Sequence, residues 1–481
     1  MMNNLFILSS KLLPRDLADI FGSQAVVDLA VGQEKVLQKI ISEYPLNTKV
    51  FISVCEGVEI SETIKNYINK IDAELMIVPK GLDALSVLKK MLSKANPKKG
   101  DKVFVHYGEK IVQGLRAHLK QKSKGLFVVD SDRNYLQTHS GRFVHGVFFF
   151  RFTRRVFDLL TCYSIDEFIL GLFSCEDEIY LSEADAASID GYLSWADLES
   201  KNFEVREFNS ISKVGGIILK QSRQKKKLKA EYFWLQEKSN QNPLSVPRVL
   251  GAQESDEIYS YQIEYLPYPS LHYLHRNSRL GVNKWHKIFR KIKENFLDVQ
   301  CVDSSEFTTL LEKKFRDRFN LMQTFLTQEQ LQLTSHLHRK LINSLPNDLY
   351  KCGHFHGDLC FSNLLYNPFT ENVLAIDPRG LDFSGEKAGA SFYVYDLAKL
   401  YHSIIGYDKI LCGDYVYSSK GLYFDQYYCE NLSDVFYDVF ECDREVINLI
   451  TAHLFLSMIP LHRDRPESVP LFIEIARGLV N

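Results

Sequence analysis

Residues 1–204 alternate short apolar runs with amphipathic stretches, and this alternation limits the possible folds more than any other feature of the sequence. The amphipathic stretches carry apolar residues at three- and four-residue spacing, which predicts helices, whereas the apolar runs have the length of strands. The predicted strands are 5–9, 49–54, 73–79, 102–107, 125–130 and 143–152. The predicted helices are 32–44, 59–71, 82–95 and 164–174. Because strands that alternate with helices usually run in one direction, we predict an α/β domain with a mostly parallel, doubly wound sheet.

The pattern changes near residue 205. Residues 205–222 predict a strand pair with a turn at Gly215 and Gly216, followed by a helix over 226–238. After a strand at 259–266 the chain is expected to be largely helical, interrupted by one strand-rich segment between 353 and 383. A chain of 481 residues exceeds what one hydrophobic core usually supports. We therefore predict two domains, 1–204 and 205–481.

The charge balance argues against nucleic acid as a partner. The chain has 58 Lys and Arg against 60 Asp and Glu, a net charge of -2, with 45% hydrophobic residues as in an ordinary globular protein. Binding to nucleic acid or to an anionic membrane needs a clustered excess of positive charge. The one basic run, residues 223–229, fits a solvated start of a helix better than such a patch.

The cysteines and the amino terminus indicate a cytoplasmic protein. The nine cysteines are odd in number and scattered, and no C-x-x-C pair occurs, so neither a disulfide framework nor a zinc site is expected. No positive segment precedes the short apolar stretch at the start, and no window is expected to reach the ~20 apolar residues of a membrane helix. The sequence leaves peripheral membrane contact and the oligomeric state open.

The segment HFHGDLCFSNLLYNPFTENVLAIDPRG, residues 354–380, contains the groups that phosphoryl transfer requires. Such a site needs a carboxylate to receive the proton of the acceptor hydroxyl and oxygen ligands for Mg²⁺. Asp358 and Asn363 share one loop, and Asp377 follows the apolar strand 373–376. We therefore predict Asp358 as the catalytic residue and Asn363 and Asp377 as metal ligands. The alternative is a polar loop in which these residues occur by chance.

The motif H-G-D-L-C-F-S-N, with I-D after the next strand, resembles the H-G-D-x-x-x-x-N and I-D signature of the aminoglycoside phosphotransferase and choline kinase family. The resemblance implies an α+β protein-kinase-like domain over 205–481, with a small β-rich lobe and a large helical lobe. It also implies ATP and Mg²⁺ as cofactors and a small molecule with a hydroxyl group as the acceptor. In that family the positions of Asp358, Asn363 and Asp377 hold the catalytic Asp and two metal ligands.

A kinase-like site also needs a strand lysine for the nucleotide phosphates and a helix glutamate that orients it. Lys220 lies in the predicted strand 217–222, and Glu231 lies in the helix that follows. We predict that both bind the nucleotide; a surface lysine and a solvated glutamate are the alternative. No G-x-G-x-x-G motif occurs, so backbone amides at residues 212–216 are expected to cover the phosphates instead.

Residues 259–271 resemble the linker between the two kinase lobes. Backbone groups of Glu264 and Leu266 are expected to bind the adenine, and a buried strand that ends at a proline is the alternative.

Several further polar residues are expected to support the site. Asp396, in the motif D-L-A-K-L, is predicted to tie the catalytic loop together rather than to touch the substrate. His354, His356 and His402 are expected to be scaffolding residues, and residues 462–464 are a weaker candidate for an acceptor contact.

The first domain resembles the sugar-phosphate nucleotidyltransferase domain at residues 27–44, 78–88, 105–112 and 194–200. It departs from that family where a G-x-G-T-R motif would wrap a triphosphate, because residues 9–23 contain no glycine cluster. It also has Glu109 where a metal-binding Asp would stand. The resemblance implies a degenerate domain that binds a sugar phosphate or nucleotide weakly, or serves as a scaffold, with Lys80 and Asp197 as the residues to test. An active nucleotidyltransferase is the alternative.

Together these features predict a phosphotransferase that uses ATP and Mg²⁺ to phosphorylate a hydroxyl of a sugar, amino alcohol or polyol. By analogy between the two domains, we expect a role in the synthesis of surface-polysaccharide precursors. Two other hypotheses are a pseudokinase that binds nucleotide for regulation and a bifunctional kinase and nucleotidyltransferase. The sequence leaves the acceptor and the choice between ATP and GTP open.

Overall fold

The protein is described by a computed structural model, and the chain divides into two units, Met1–Asn202 and Phe203–Asn481. The structure describes residues 3–9, 17–18, 21, 24–31, 34–58, 60–107, 110–112, 115–116, 126–129, 147–175, 180–183, 189–191, 210–277, 280–297, 303–304, 307–346, 349–352, 355–381, 391–418, 421–423 and 426–481. Of the expected site residues, Glu109, Asp197 and His354 lie outside these ranges.

The first unit contains a sheet of seven strands. These are β1 (Asn3–Ser9), β2 (Thr48–Cys55), β3 (Glu74–Val78), β4 (Lys102–Tyr107), β5 (Leu126–Val129), β6 (Val147–Arg151) and β7 (Tyr180–Glu183). Their order is β7-β5-β6-β4-β1-β2-β3. All neighbours are parallel except β6, which is antiparallel to β4 and β5. The order of elements along the chain did not predict the direction of β6.

The helices of this unit are α1 (Val36–Ser42), α2 (Glu62–Lys70), α3 (Ala84–Ala95), α4 (Arg154–Leu159) and α5 (Ile165–Cys175). Shorter elements are a 3-10 turn, Val26–Asp28, and the strands Ala30–Val31, Glu34–Lys35, Lys110–Val112 and Ile189–Gly191. The helix predicted from residue 32 begins only at Val36, because Glu34 and Lys35 pair with residues 30–31. Asp83 caps α3 by accepting from the Ser86 amide at 3.0 Å. Apolar residues of α3 and α5 pack with those of β1, β2, β4 and β6 in one core.

The second unit begins with an antiparallel sheet. Its strands are β8 (Ser210–Val214), β9 (Ile217–Ser222), β10 (Val249–Glu254) and β11 (Tyr259–Glu264), in the order β8-β9-β11-β10. Helix α6 (Lys225–Gln241) connects β9 to β10. Leu228, Trp234 and Leu235 of α6 pack against the aromatic residues of β11, which fixes the helix on the sheet.

The remainder of this unit is mainly helical. Its helices are α7 (Leu271–Asn277), α8 (Val282–Phe296), α9 (Phe307–Met322), α10 (Gln328–Ser344), α11 (Tyr393–Ile404), α12 (Tyr407–Leu411), α13 (Gln426–Phe440), α14 (Arg444–Met458) and α15 (Ser468–Val480). Phe361–Asn363 and Ile459–His462 are 3-10 turns. A hairpin of β12 (Leu364–Asn367) and β13 (Asn372–Ala375) lies within the predicted strand-rich segment.

Further strands lie outside the segment 353–383, so the prediction of one strand-rich interruption was incomplete. They are Asp303–Ser304, Leu349–Cys352, Ser391–Phe392, Val416–Ser418 and Gly421–Tyr423. Strands of two to four residues are too short to show a periodic pattern in the sequence.

One helical stretch in the described part of the chain, α14 with the 3-10 turn after it (Arg444–His462), is long and apolar enough to cross a membrane by length and composition. The expectation that no window reaches this size was therefore wrong. However, 72% of its most apolar window is buried inside the protein, where it contacts α10, α11 and α15. Because a buried core helix passes the same test, this is weak evidence for a membrane span.

Gly380 allows α6 to approach the segment that follows β13. Its φ is +65°, and a Cβ there would lie 2.4 Å from the carbonyl carbon and oxygen of Ala230. Gly380→Ala is therefore expected to destabilise the second unit by roughly 2–4 kcal/mol, as measured by urea unfolding followed by tryptophan fluorescence. Gly251→Ala is the control, since a Cβ there meets nothing within 4 Å, and its effect should stay within about 0.5 kcal/mol. Equal stability of the two variants would contradict the described approach of α6.

Candidate active site

The loop that carries Asp358 is held by a buried carboxylate. Asp396, in the first turn of α11, is 1% exposed. Its two oxygens accept from the backbone amides of His356 and Gly357, each at 2.9 Å. Burial raises the pKa of Asp396 to about 7, although the amide donors favour the charged form. The expectation that Asp396 ties the catalytic loop together is confirmed by these bonds.

His356 links the loop to the strand behind it. Its Nε2 donates to Ile376 O at 3.1 Å, and its Nδ1 accepts from the Asp358 amide at 3.3 Å. Burial lowers the pKa of His356 to about 4, so the ring is neutral at pH 7. The ring also packs edge-on against Trp234 at a centroid distance of 5.2 Å. His356 is therefore a scaffolding residue, as predicted.

Asp358 is oriented by two neighbours. Its Oδ1 lies 2.9 Å from Lys399 Nζ, and its Oδ2 accepts from Asn363 Nδ2 at 3.2 Å. Asn363 Nδ2 also donates to Asp358 O at 2.9 Å, which closes the loop between the two residues. Although burial opposes the charge on Lys399, the Asp358 carboxylate holds the pKa of that ammonium above its ordinary value. The side chain of Asp358 is 40% exposed, so one side of it remains accessible to a substrate.

Asp377 reaches the same region from the end of β13. The amide of Ile376 donates to Asn363 O at 2.9 Å, which fixes the strand end against the loop. Asp377 itself has φ of +55°, an unfavourable conformation for an L residue that recurs at functional sites. Its Oδ1 accepts from Lys220 Nζ at 2.9 Å. The structure thus brings Asp358, Asn363 and Asp377 to adjoining positions.

Lys220 and Glu231 form a buried ion pair. Lys220 lies on β9 and Glu231 on α6, they are 5% and 2% exposed, and the hydroxyl of Tyr261 also donates to Glu231. Burial raises the pKa of Glu231 to about 6, with Lys220 opposing the shift. Burial also opposes the charge on Lys220, but Asp377 and Glu231 together raise its pKa. The alternative of a surface lysine and a solvated glutamate does not hold for this pair.

Glu264 and Leu266, the predicted adenine contacts, take no part in the hydrogen bonds around Asp358 or in the Lys220–Glu231 ion pair. They lie at and after the end of β11, which pairs with β9 so that Tyr261 stands opposite Lys220. The Glu264 amide donates to Arg248 O at 2.9 Å. Within the part of the chain that the structure describes, Leu266 N makes no hydrogen bond.

Lys399 is the residue that the sequence reasoning missed. It lies in the motif D-L-A-K-L, three residues after Asp396 and therefore on the same side of α11. Residues 394–404 of that helix are all buried, and its only two charged residues are Asp396 and Lys399. A charged pair at helical spacing in an otherwise apolar helix was the available signal.

The donor set fits Mg²⁺ better than a metal that prefers nitrogen or sulfur. No group of three or more His, Cys, Asp or Glu side chains that could hold a metal occurs among the described residues. Asp377 offers a carboxylate, and Asn363 Oδ1 accepts no hydrogen bond in the described structure, since the amide nitrogen faces Asp358. Mg²⁺ usually takes one or two such oxygens and completes its shell with phosphates and water.

Residues 200–414 match the sequence model of the phosphotransferase enzyme family. This match confirms the predicted resemblance of the carboxy-terminal part to aminoglycoside phosphotransferases and, with it, the prediction of a small-molecule kinase. No curated protein matches the chain.

Three solved structures are similar at low identity. An aminoglycoside phosphotransferase from Streptomyces rimosus is 18% identical, covering 54% of this chain and 91% of that chain, with a TM-score of 0.36. A choline/ethanolamine kinase family protein from Mesorhizobium loti is 14% identical, covering 56% and 84%, with a TM-score of 0.35. The inositol-1-phosphate CTP transferase from T. maritima is 17% identical, covering 42% and 93%, with a TM-score of 0.32.

Proposed function

Starting from a carboxy-terminal region that matches the phosphotransferase enzyme family, we propose that the protein transfers the γ-phosphoryl group of ATP to a hydroxyl of a small polar molecule. The observation that carries the proposal is one connected set of contacts. Glu231 holds Lys220, Lys220 contacts Asp377, and the residue before Asp377 is bonded to the loop of Asp358 and Asn363. A kinase site needs these groups within reach of one nucleotide.

Asp358 is the residue proposed to act on the acceptor. As the acceptor oxygen forms its bond to the γ-phosphorus, the bond from that phosphorus to the β-γ bridging oxygen breaks, and the hydroxyl proton passes to the Asp358 carboxylate. Lys399 and Asn363 hold that carboxylate in place, so they act as positioning residues. Positioning is the main contribution that proteins make to this reaction, since the transition state needs little covalent assistance.

Lys220 is proposed to bind the nucleotide phosphates, with Glu231 fixing its direction. Asp377 and Asn363 are the residues that would hold Mg²⁺, which neutralises phosphate charge when it is bound. Backbone groups at Glu264 and Leu266 remain the proposed adenine contacts, because the Leu266 amide is not engaged within the described chain.

We propose the cytoplasm as the site of action. Five cysteines in the described part of the chain are free thiols, as expected for a reducing compartment. These are Cys55, Cys162, Cys360, Cys412 and Cys442.

For the first unit we propose a degenerate nucleotidyltransferase-like domain that serves as a scaffold or binds a sugar phosphate or nucleotide weakly. Lys80 follows β3 and is exposed, and a Cβ at Gly57, after β2, would lie 3.8 Å from Lys80 Nζ. Both residues lie beyond the carboxyl ends of neighbouring parallel strands, where open α/β sheets bind ligands. A role in surface-polysaccharide precursor synthesis is proposed by analogy between the two domains.

Asp358→Asn is expected to retain MgATP binding but to lower kcat by ~10²-fold or more, because the amide cannot accept the proton. The measurement is a coupled assay of ADP formation with choline, ethanolamine, glycerol, glycerate, amino sugars and sugar phosphates. The exposed Asp438→Asn is the matched control and should leave kcat unchanged. Equal turnover of Asp358→Asn and the wild-type protein would remove Asp358 from the mechanism. ATP binding without transfer to any acceptor would favour a pseudokinase.

Nucleotide affinity should depend on the ionisation of Glu231. Because its pKa is raised to about 6, the carboxylate is charged at pH 7 and mostly protonated at pH 5, where it no longer holds Lys220. The affinity for Mg²⁺ and AMP-PNP should therefore fall by roughly 10-fold between pH 7 and pH 5 beyond the change due to the nucleotide itself. Calorimetric titration of Glu231→Gln supplies that reference, since this variant should bind more weakly at pH 7 and change less with pH. Parallel pH profiles would rule out Glu231 as the titrating group.

The first unit is expected to release no pyrophosphate from CTP or UTP with a sugar phosphate, because no glycine cluster occurs in residues 9–23 to approach a triphosphate. A pyrophosphate assay on the full chain tests this, with Asp377→Ala included so that the kinase site does not contribute. Pyrophosphate release that is lost in Lys80→Ala would instead support a bifunctional enzyme.

A further inference from the structure

A set of cationic side chains lies beside the catalytic loop and has no part in the transfer step described above. It consists of Lys314, Arg318 and Arg379, which we call the cationic group; all three are partly exposed. Lys314 and Arg318 are four residues apart on α9, so they lie on the same face of that helix. The backbone amide of Arg379 donates to His356 O at 2.7 Å, which places Arg379 against the loop that carries the proposed catalytic Asp358.

Tyr395 connects α9 to this loop. Lys314 Nζ donates to the Tyr395 hydroxyl at 2.5 Å and lies 4.9 Å from the centroid of its ring. Tyr395 directly precedes Asp396, the residue that holds the loop amides, and its ring lies 5.9 Å from that of Phe355. The ammonium of Lys314 is therefore held next to Asp396, the residue that fixes the catalytic loop.

The electrostatic potential around Tyr395 is positive. Burial alone would raise the pKa of this phenol, yet its pKa is lowered, because Lys314, Lys399 and Arg379 favour the phenolate. Burial lowers the pKa of Lys314, and Lys399 and Arg379 lower it further. The pKa of Arg318 is likewise lowered by burial and by Arg379. Lys314, Arg318 and Arg379 therefore lie close enough to one another and to Tyr395 to influence each other's charge.

A group of three cations beside the catalytic loop suits an anionic ligand. Cations that repel one another in a partly buried place cost stability, and a ligand of opposite charge relieves the repulsion. Arginine guanidinium groups bind phosphate and carboxylate through paired hydrogen bonds. A positively charged acceptor would be repelled from the same place.

We propose that the acceptor carries an anionic group, a phosphate ester or a carboxylate, which Lys314, Arg318 and Arg379 bind while its hydroxyl faces Asp358. This inference rests on the kinase function proposed above. It narrows the acceptor from sugars, amino alcohols and polyols in general to their phosphorylated or acidic derivatives. The nucleotide phosphates are the other possible source of such an anion, and the experiments below separate the two.

The first experiment titrates the full chain with inorganic phosphate by calorimetry, with and without saturating Mg²⁺ and AMP-PNP. Phosphate should bind when the nucleotide site is filled, and Arg318→Gln should weaken binding by roughly 10-fold or more. Arg316→Gln is the matched control, because this exposed residue lies on the same helix and its loss removes the same charge. The proposal is overturned if the wild-type protein does not bind phosphate beside AMP-PNP, or if the two variants weaken binding equally.

The second experiment compares ADP formation with matched acceptors, such as glycerol against glycerol phosphate and glycerate, or a sugar against its phosphate. Anionic acceptors should have kcat/KM at least ~10-fold higher, and Arg318→Gln should raise their KM while leaving the KM for ATP unchanged. Equal use of neutral acceptors, or a raised KM for ATP alone, would overturn the inference and leave the kinase function intact. If ATP does not bind at all, the proposed kinase function is wrong. The phosphate titration without nucleotide then tests separately whether the cationic group binds an anion.

Discussion

The arrangement of the active site depends on the backbone amide and carbonyl of one residue, Ile376. Its amide donates to Asn363 O, and its carbonyl accepts from His356 Nε2, so the end of β13 is bonded on both sides to the catalytic loop. Asp396 holds the same loop from behind through two further amides. Since buried polar groups left without partners cost about 1–3 kcal/mol each, this network has few alternative arrangements. The backbone positions of Asp358, Asn363 and Asp377 relative to one another are thereby fixed, which places the proposed proton acceptor and metal ligands on neighbouring segments.

The charged residues of the site are stable together although each would be unfavourable alone. Lys220 and Glu231 are almost completely buried, and a buried ion pair gains little net stability because desolvation offsets the attraction. The half-exposed Asp377 provides a second partner for Lys220, so the lysine can exchange one oxygen ligand for another without becoming unpaired. Lys220, held between the carboxylates of Glu231 and Asp377, is thus already oriented to bind phosphate oxygens. Its desolvation takes place during folding, so it does not weaken nucleotide binding.

The sequence predicted the parts of the site that lie close together in the chain, and it missed those that depend on distant packing. Asp358, Asn363 and Asp377 share one segment of 27 residues, 354–380, so loop and strand chemistry were sufficient to nominate them. Lys220 and Glu231 followed from the order strand, then helix. The role of Lys399 was not predicted, because its contact with Asp358 joins α11 to a loop some forty residues earlier. Lys314 lies on a separate helix and contacts Tyr395, which precedes Asp396. The antiparallel direction of β6 could not be predicted either, since the apolar pattern of a buried strand is the same whichever way the strand runs.

The ammonium of Lys399 stabilises the Asp358 carboxylate and so makes it a weaker base. A strong base would matter if proton transfer limited the reaction, but phosphoryl transfer passes through a loose transition state in which the acceptor oxygen gains little charge. The proton then leaves late, and a weakly basic carboxylate suffices as long as it is well oriented. Lys399 supplies that orientation, because its ammonium holds Oδ1 of Asp358 while Asn363 holds Oδ2.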